Sequence, residues 1–402
     1  MQTTLAQFFD YCMAKNLPFA FYRLPNTVVV KVVAQNSSKV KALPAGSDYI
    51  YEQGFMFSPF QEDTLSQRVI IRPDVFVTED RLPALSFAKP VLEPFSEPTK
   101  KKLQATDKQG FVKYVRKIRK AIRAGKFRKV VAARVLKQAK PEDFNPVTFY
   151  KALCAKYPTA FISLTYTRDH GLWIGASPEI LLTVDGNGFT TYSLAGTKAN
   201  SKWNEQTGWG KKELDEQEIV SDYILNAFRG LSKSEPIIDG PNTVQAGNLL
   251  HLRTTFTYDN LPHYNWQKVV EQLHPTPAVA GLNKQDAINF ILKHEGFNRS
   301  YYSGYLGPVN LDEQINLYVN LRCLQVLKRK VAVYVGCGIT AESKPLKEWR
   351  ETKMKAQTML SVLNDTKQVV KINRNITPLP PDDNGDKGDT NTGGDLQAGG
   401  HQ

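Results

Sequence analysis

An α+β fold is what this sequence predicts, and three observations carry that expectation. From Lys129 to Leu194, apolar and β-branched runs follow one another with turn residues between them, a spacing that favours antiparallel pairing. Segments with helical spacing gather around these runs rather than alternating strictly with them. No fixed-period repeat runs through the chain, which excludes a solenoid or propeller.

The elements follow in order. To about Pro98, short apolar runs (Thr27 to Val33, Val69 to Ile71) are broken by Pro and Gly turns, and this part reads as mixed structure supporting a later core. Thr99 to Lys108 is polar and reads as a connection. Phe111, Val112, Tyr114, Val115, Ile118 and Ile122 repeat at helical spacing between Gly110 and Ala124, and Gly125 supplies the stop. Strands are expected at Lys129 to Leu136 and, after a short helix, at Ala160 to Thr167, Gly171 to Ala176, Glu179 to Val184 and Phe189 to Leu194. Helices are expected at Lys211 to Phe228, Asn265 to Gln272 and Lys284 to His294. Ile315 to Leu327 reads as one strand, with Leu317, Val319, Leu321 and Cys323 on one face and Tyr318, Asn320 and Arg322 on the other. A turn at Lys328-Arg329 returns the chain through Val331 to Val335. That strand closes on Gly336 and Gly338 and runs into a helix carrying Glu348, Glu351 and Lys355. Beyond Asn373, residues rich in Pro, Gly, Asp, Asn and Thr lack the apolar surface to offset ordering, so a disordered tail is expected.

With 402 residues, 41% of them hydrophobic, the chain can bury one large core or two smaller ones. The net charge of +13 raises a nucleic-acid reading, but Lys and Arg are dispersed, and neither zinc-finger spacing nor an aromatic-basic RNA motif is present. A solvated basic surface or a basic pocket for an anionic ligand accounts for the charge. Cys12, Cys154, Cys323 and Cys337 are far apart and read as reduced thiols. The N-terminus does not read as a signal peptide, and no stretch reaches the length of a membrane span, so a cytoplasmic protein without membrane attachment is expected.

Several side chains stand out chemically. Glu348, Glu351 and Lys355, at i, i+3 and i+7, share one helix face; two carboxylates there suit a hard divalent cation and the lysine suits an anion. Glu179 follows a Gly/Pro turn among apolar neighbours, where burial would raise its pKa as a general acid requires; singly, it is also an ordinary strand cap. Lys129 opens an apolar strand, where the plainer reading is a surface lysine with a buried stem. Ala195, Gly196 and Thr197 end a strand with small residues that let a ligand approach the backbone, or simply make a turn. Glu216 and Glu218 lie on the Lys211 helix as further carboxylates or as a solvated face. His251 and His274 lack metal-ligand spacing and read as core or hydrogen-bonding residues.

Taken together, the segments Lys129-Val-Val-Ala-Ala-Arg134, Gly175-Ala-Ser-Pro-Glu-Ile-Leu-Leu182, Leu194-Ala-Gly-Thr197, His274-Pro-Thr-Pro-Ala-Val-Ala-Gly281, Leu321-Arg-Cys323 and the glycine-strand-helix motif resemble the chorismate-utilising enzymes, most closely the isochorismate synthases. They span about Gly110 to Leu363 in family order. The resemblance implies one large α+β domain with a cleft between antiparallel sheets, divided here as an N-terminal part (1–98), a chorismate-binding core (99–373) and the tail (374–402). It implies Mg²⁺ as cofactor, held by Glu216 and Glu351, with Glu348 as a direct or water-mediated ligand. Lys129 would activate water for attack at C2 of chorismate, and Glu179 would protonate the departing C4 hydroxyl. Arg322, Tyr302, Lys355 and the backbone near Gly338 would hold substrate carboxylates, with His251 and the Ala195-Gly196-Thr197 backbone lining the pocket.

Two positions narrow the expected reaction. Relatives that use ammonia resemble one another in having glutamine where this chain has Lys129, and those with a nucleophilic lysine carry it where this chain has Ala195. Water is therefore the expected nucleophile, in a monomer working without a glutaminase subunit. Gln217 stands where a histidine is common, Ser193 where a proline is usual, and Arg299-Ser-Tyr-Tyr-Ser-Gly304 varies an Arg-Gly-x-Tyr-x-Gly pattern, leaving Tyr301 as an alternative to Tyr302. The competing readings are a salicylate synthase, which goes on to eliminate pyruvate, and a non-catalytic chorismate- or nucleic-acid-binding protein.

Overall fold

A computed structural model of the chain describes residues 2–85 and 103–375, apart from 187, 202–207, 233, 247–248, 260 and 263–264. Residues 86–98 of the expected N-terminal part, the start of the polar connection (99–102) and the expected tail from 376 on lie outside the described residues, whereas 374–375, expected in the tail, end the last helix. In chain order the elements are α1 (Leu5–Ala14), β1 (Phe19–Arg23), β2 (Lys31–Ala34), β3 (Lys41–Ala42), β4 (Gly54–Ser58), β5 (Val69–Ile71), β6 (Val75–Thr78), α2 (Lys108–Arg123), β7 (Lys129–Ala139) and α3 (Pro146–Lys156). There follow β8 (Phe161–Thr167), β9 (Gly171–Ser177), β10 (Ile180–Asp185), β11 (Gly188–Ala199), α4 (Lys211–Phe228), β12 (Ile237–Ala246), β13 (Leu249–Tyr258), α5 (Trp266–Leu273), β14 (Gly281–Leu282) and α6 (Lys284–His294). The last are β15 (Tyr305–Val309), β16 (Gln314–Val319), β17 (Cys323–Val326), β18 (Lys330–Ile339) and α7 (Pro345–Asn375).

The strands form two antiparallel sheets. The first runs β14-β7-β18-β17-β9-β8-β1-β2-β6 and the second β12-β13-β11-β10-β16-β15-β4-β5-β3. Their inner faces pack on one another through aromatic contacts, with ring centroids 5.6 Å apart for Tyr22 and Phe55 and 4.1 Å for Phe161 and Tyr318. Helices cover the outer faces. Phe8, Phe9, Tyr150 and Met359 from α1, α3 and α7 meet Phe19, Phe21 and Ile174 of the first sheet. Val220, Ile224 and Trp266 from α4 and α5 meet Phe256 and Leu317 of the second. At the β7 end, Phe111, Val115 and Ile118 of α2, at the i, i+4, i+7 spacing seen in sequence, pack on Val130 and Ile339. Asp107 caps α2 by accepting from the Gly110 N–H at 2.7 Å.

One expected element is corrected. Ile315 to Leu327 is two strands in different sheets: β16 ends at Val319 in the second sheet and β17 begins at Cys323 in the first. At the crossing Arg322 takes φ of +47°, so the period-two alternation breaks and Arg322 is buried rather than projecting from an outer surface. The chain also changes sheets between β9 and β10, through Pro178 and Glu179. The two crossings lie side by side: Val319 N–H donates to Glu179 O (3.0 Å), Ala176 N–H to Arg322 O (3.0 Å) and the Ser177 hydroxyl to Val319 O (2.6 Å).

Candidate active site

A cavity of about 70 Å³, partly open to solvent, lies beside these crossings, between β7 and β18 on one side and β11 and β13 on the other. Its wall brings together Lys129, Glu179, Ala195, Gly196, Thr197, Glu216, His251, Tyr302, Arg322, Gly338, Glu351 and Lys355 from across the chain. Glu348, expected among the ligands, is not part of the wall. It sits behind it, buried, and accepts from Lys212 Nζ at 3.0 Å.

Lys129 enters from the first residue of β7 and is fully buried. Gly281 of β14 presses on its backbone: at φ of +142°, any Cβ there would overlap the Lys129 carbonyl. Inside the cavity Lys129 Nζ lies 3.0 Å from Glu216 Oε1. Gly338, paired with Val131 in the β7–β18 ladder, leaves room for this contact, because a Cβ would overlap Glu216 Oε1 and crowd Lys129 Cε.

Glu179 sits at the sheet crossing, its N–H donating to Ser177 Oγ at 3.2 Å. Burial pushes its carboxyl up to about 7, against the opposing pull of Lys129, Lys355 and Arg322. Glu216 behaves oppositely. Burial would raise it too, but Lys129 and Lys212, with help from Lys355, outweigh burial and hold it down at about 2. The cavity thus contains one carboxyl able to carry a proton near neutrality and another fixed as carboxylate.

His251 is held neutral, pushed down to about 3 by burial and by the cations Arg322 and Lys355. Its tautomer follows from its partners. Arg322 Nη2, 3.1 Å from Nε2, has no lone pair to offer, so Nε2 accepts, and Nδ1 carries the hydrogen donated to Gly196 O at 2.7 Å. Gly196, at φ of +66°, turns that carbonyl inward at a β11 bulge. The two neighbouring tyrosines differ in position. Tyr302 lines the cavity, whereas Tyr301 stacks on Phe57 and donates to Gln67 O at 2.7 Å.

Each glutamate expected to bind metal has a lysine: Lys129 on Glu216, Lys212 on Glu348 and, at 2.8 Å, Lys355 on Glu351. Among the described residues, no three His, Cys, Asp or Glu side chains converge as a ready-made cage. The donor set nevertheless fits a hard cation. Its donors are carboxylate oxygens on the facing helices α4 and α7, and Glu348 Oε2 is buried without a hydrogen-bond partner.

Some supporting residues went unrecognised in the sequence. Lys212 lies one helical turn before Glu216, an i, i+4 spacing that is a readable signal. Glu295 and Arg299, also i, i+4, form a buried ion pair (2.6 Å) that grips β7: Ala133 N–H donates to Glu295 at 2.8 Å and Arg299 Nη2 to Val131 O at 2.7 Å. The two departures at 217 and 193 are partners. Gln217 Nε2 donates to Ser193 Oγ at 2.7 Å and Thr254 Oγ1 at 2.9 Å, anchoring α4 beside Glu216. His274 stays outside the cavity, half-buried, with Nε2 3.3 Å from Pro59 O.

The family model described as chorismate binding enzyme matches residues 75–364. Over 241 residues the chain is 30% identical to the isochorismate synthase EntC of Escherichia coli K12, covering 58% of this chain and 62% of that protein. It is 27% identical to the isochorismate synthase MenF of Bacillus subtilis over 266 residues, covering 64% of this chain and 56% of that protein. The chain thus aligns with less than two thirds of the length of these curated relatives. Among solved structures, the menaquinone-specific isochorismate synthase MenF of Escherichia coli superposes with a TM-score of 0.70 at 22% identity, over 90% of this chain and 93% of that one. A 2,3-dihydroxybenzoate-specific isochorismate synthase DhbC described as putative, from Bacillus anthracis, gives 0.71 at 22% identity, over 89% and 99%. These likenesses establish the fold, and the family match over most of the chain establishes that this protein belongs to the chorismate-binding enzymes.

Proposed function

We propose that this protein is an isochorismate synthase, a Mg²⁺-dependent isomerase that converts chorismate to isochorismate for menaquinone or siderophore synthesis. The observation that carries the reading is a lysine and a glutamic acid on one cavity, with Glu179 titrating at about 7. Acid–base catalysis near neutral pH needs a carboxyl that still holds its proton there. Glu216, held at about 2, would be a fixed ligand instead.

With its proton passed to Glu179, Lys129 is a neutral amine that takes a proton from water as the oxygen bonds to C2. The ring double bond shifts, the C4–O bond breaks, and Glu179 delivers its proton to the departing hydroxyl. One water enters and one leaves, so the change is an isomerisation. Arg322, Tyr302, Lys355 and the Gly338 backbone hold the carboxylates, and neutral His251 orients Arg322 without adding charge. Glu216 and Glu351, with Glu348 behind them, would hold Mg²⁺, which supplies charge neutralisation for a substrate carboxylate. Lysine at 129 and alanine at 195 favour water over an amine nucleophile. The enzyme works in the cytoplasm as a single chain without a glutaminase subunit.

The purified protein, incubated with chorismate and Mg²⁺, is expected to give isochorismate at equilibrium with chorismate by chromatography. Salicylate and pyruvate as the main products would overturn the assignment in favour of the longer reaction. No turnover, with chorismate still bound, would leave a binding protein.

A further inference from the structure

A second cavity, about 70 Å³ like the first, lies on the other side of Arg322. The two share Pro178, Leu194 and Arg322 as a partition. Its apolar wall comes from Ala160, Ala176, Leu194 and Val244, and its cationic wall from Arg253 and Arg322.

The register of β13 explains how two arginines come to face it. His251 and Arg253 are two residues apart on one strand and project from the same face, into neighbouring cavities. Leu194 on β11 is the direct cross-strand partner of Arg253, which sets an aliphatic surface beside the guanidinium. Arg253 is steadied over the Tyr192 ring, 4.9 Å from its centroid. Arg322 Nη1 reaches Thr358 Oγ1 at 3.4 Å, while Nη2 is engaged with His251. Neither arginine is within 4.0 Å of a carboxylate among the described residues, although Arg322 is almost wholly buried. The rest of the wall is neutral, with Tyr157, Thr159, Gln245 and Thr358 beside the apolar side chains, so the Arg253 guanidinium faces the chamber with no acid on that wall to meet it.

We propose that this chamber is a second ligand site, for a small aromatic monocarboxylate. The carboxylate sits on Arg253 and on the Nη1 side of Arg322, and the ring lies against Leu194, Ala176 and Val244. Binding there draws on the arginine shared with the first cavity, so the occupant competes for that guanidinium without entering the other chamber. The binding claim is independent of the reaction proposed above.

Titration calorimetry of the full chain with benzoate tests it, with benzamide as the uncharged isostere. Benzoate is expected to bind, and benzamide at least tenfold more weakly. Arg253→Ala is expected to weaken benzoate at least tenfold, and Val244→Trp, which fills the chamber, to abolish its binding, with both variants checked for unchanged melting. Absence of benzoate binding to the wild-type protein would overturn the proposal. So would equal binding of benzamide, or benzoate binding untouched in Arg253→Ala, which would place the ligand in the first cavity. If Val244→Trp fails to fold, the Arg253→Ala and benzamide results decide alone.

Discussion

Burial of the single residue Glu179 ties the stability of the fold to pH. A carboxyl raised from 4.5 to about 7 by burial favours the fold in its protonated form; that contribution is present below about 4.5 and lost as pH rises through about 7. Glu179→Gln cannot titrate, so relative to wild type it is expected to gain about 2–3 kcal/mol between pH 5 and pH 8. Turnover should fall about 10²–10⁴-fold. Urea denaturation at the two pH values, run beside the product assay, checks both halves; a variant losing stability equally at both would contradict the burial argument. In sequence, the strand contexts of Lys129 and Glu179 favour a surface lysine and a strand cap, and only the family order of the motifs singles the two out. Their proximity is not legible there, because the residues that make them neighbours lie on elements far apart in the chain.

At the scale of elements, Gly338 of β18 leaves the space that the Glu216 side chain of α4 occupies. Gly338→Ala is expected to drive Glu216 off Lys129, lowering Mg²⁺ affinity tenfold or more by calorimetry while the protein stays folded. Unchanged affinity would remove Glu216 from the metal site. Elements with regular patterns were legible: the expected helices at Lys211–Phe228 and Lys284–His294 have those ends in the structure. What escaped had a physical reason. β1 is buried on both faces, Phe19 and Phe21 toward helices and Ala20 and Tyr22 toward the other sheet, so it carries no alternation. β12 is largely exposed and interrupted by a bulge between Asp239 and Asn242, so it has no apolar stripe. The Ile315–Leu327 reading failed because its apolar period continues through a sheet crossing, and period alone does not reveal which sheet a residue serves.

For the whole molecule, the net charge of +13 says little about the cavity, which is balanced locally. Glu179, Glu216, Glu348 and Glu351 stand against Lys129, Lys212, Lys355 and Arg322, so with Glu179 ionised the formal charges cancel. A divalent cation alone upsets that balance by two charges, as does a dianion alone; together they leave it unchanged. Mg²⁺ affinity is therefore expected to rise at least tenfold in the presence of chorismate or an unreactive dianionic analogue, and the analogue's affinity to rise by the same factor with Mg²⁺. Identical Mg²⁺ affinity with and without the analogue, measured by calorimetry, would count against this balance. The paired sheet crossings carry a consequence of another kind. Glu179 and Arg322, the proposed proton donor and anchor, sit on two neighbouring sheet crossings joined by three hydrogen bonds, so they are held to each other as one piece. The Val319 and Ala176 amides, which make two of those bonds, should exchange with deuterium only when that piece comes undone, giving a catalysis-free clock for the integrity of the site.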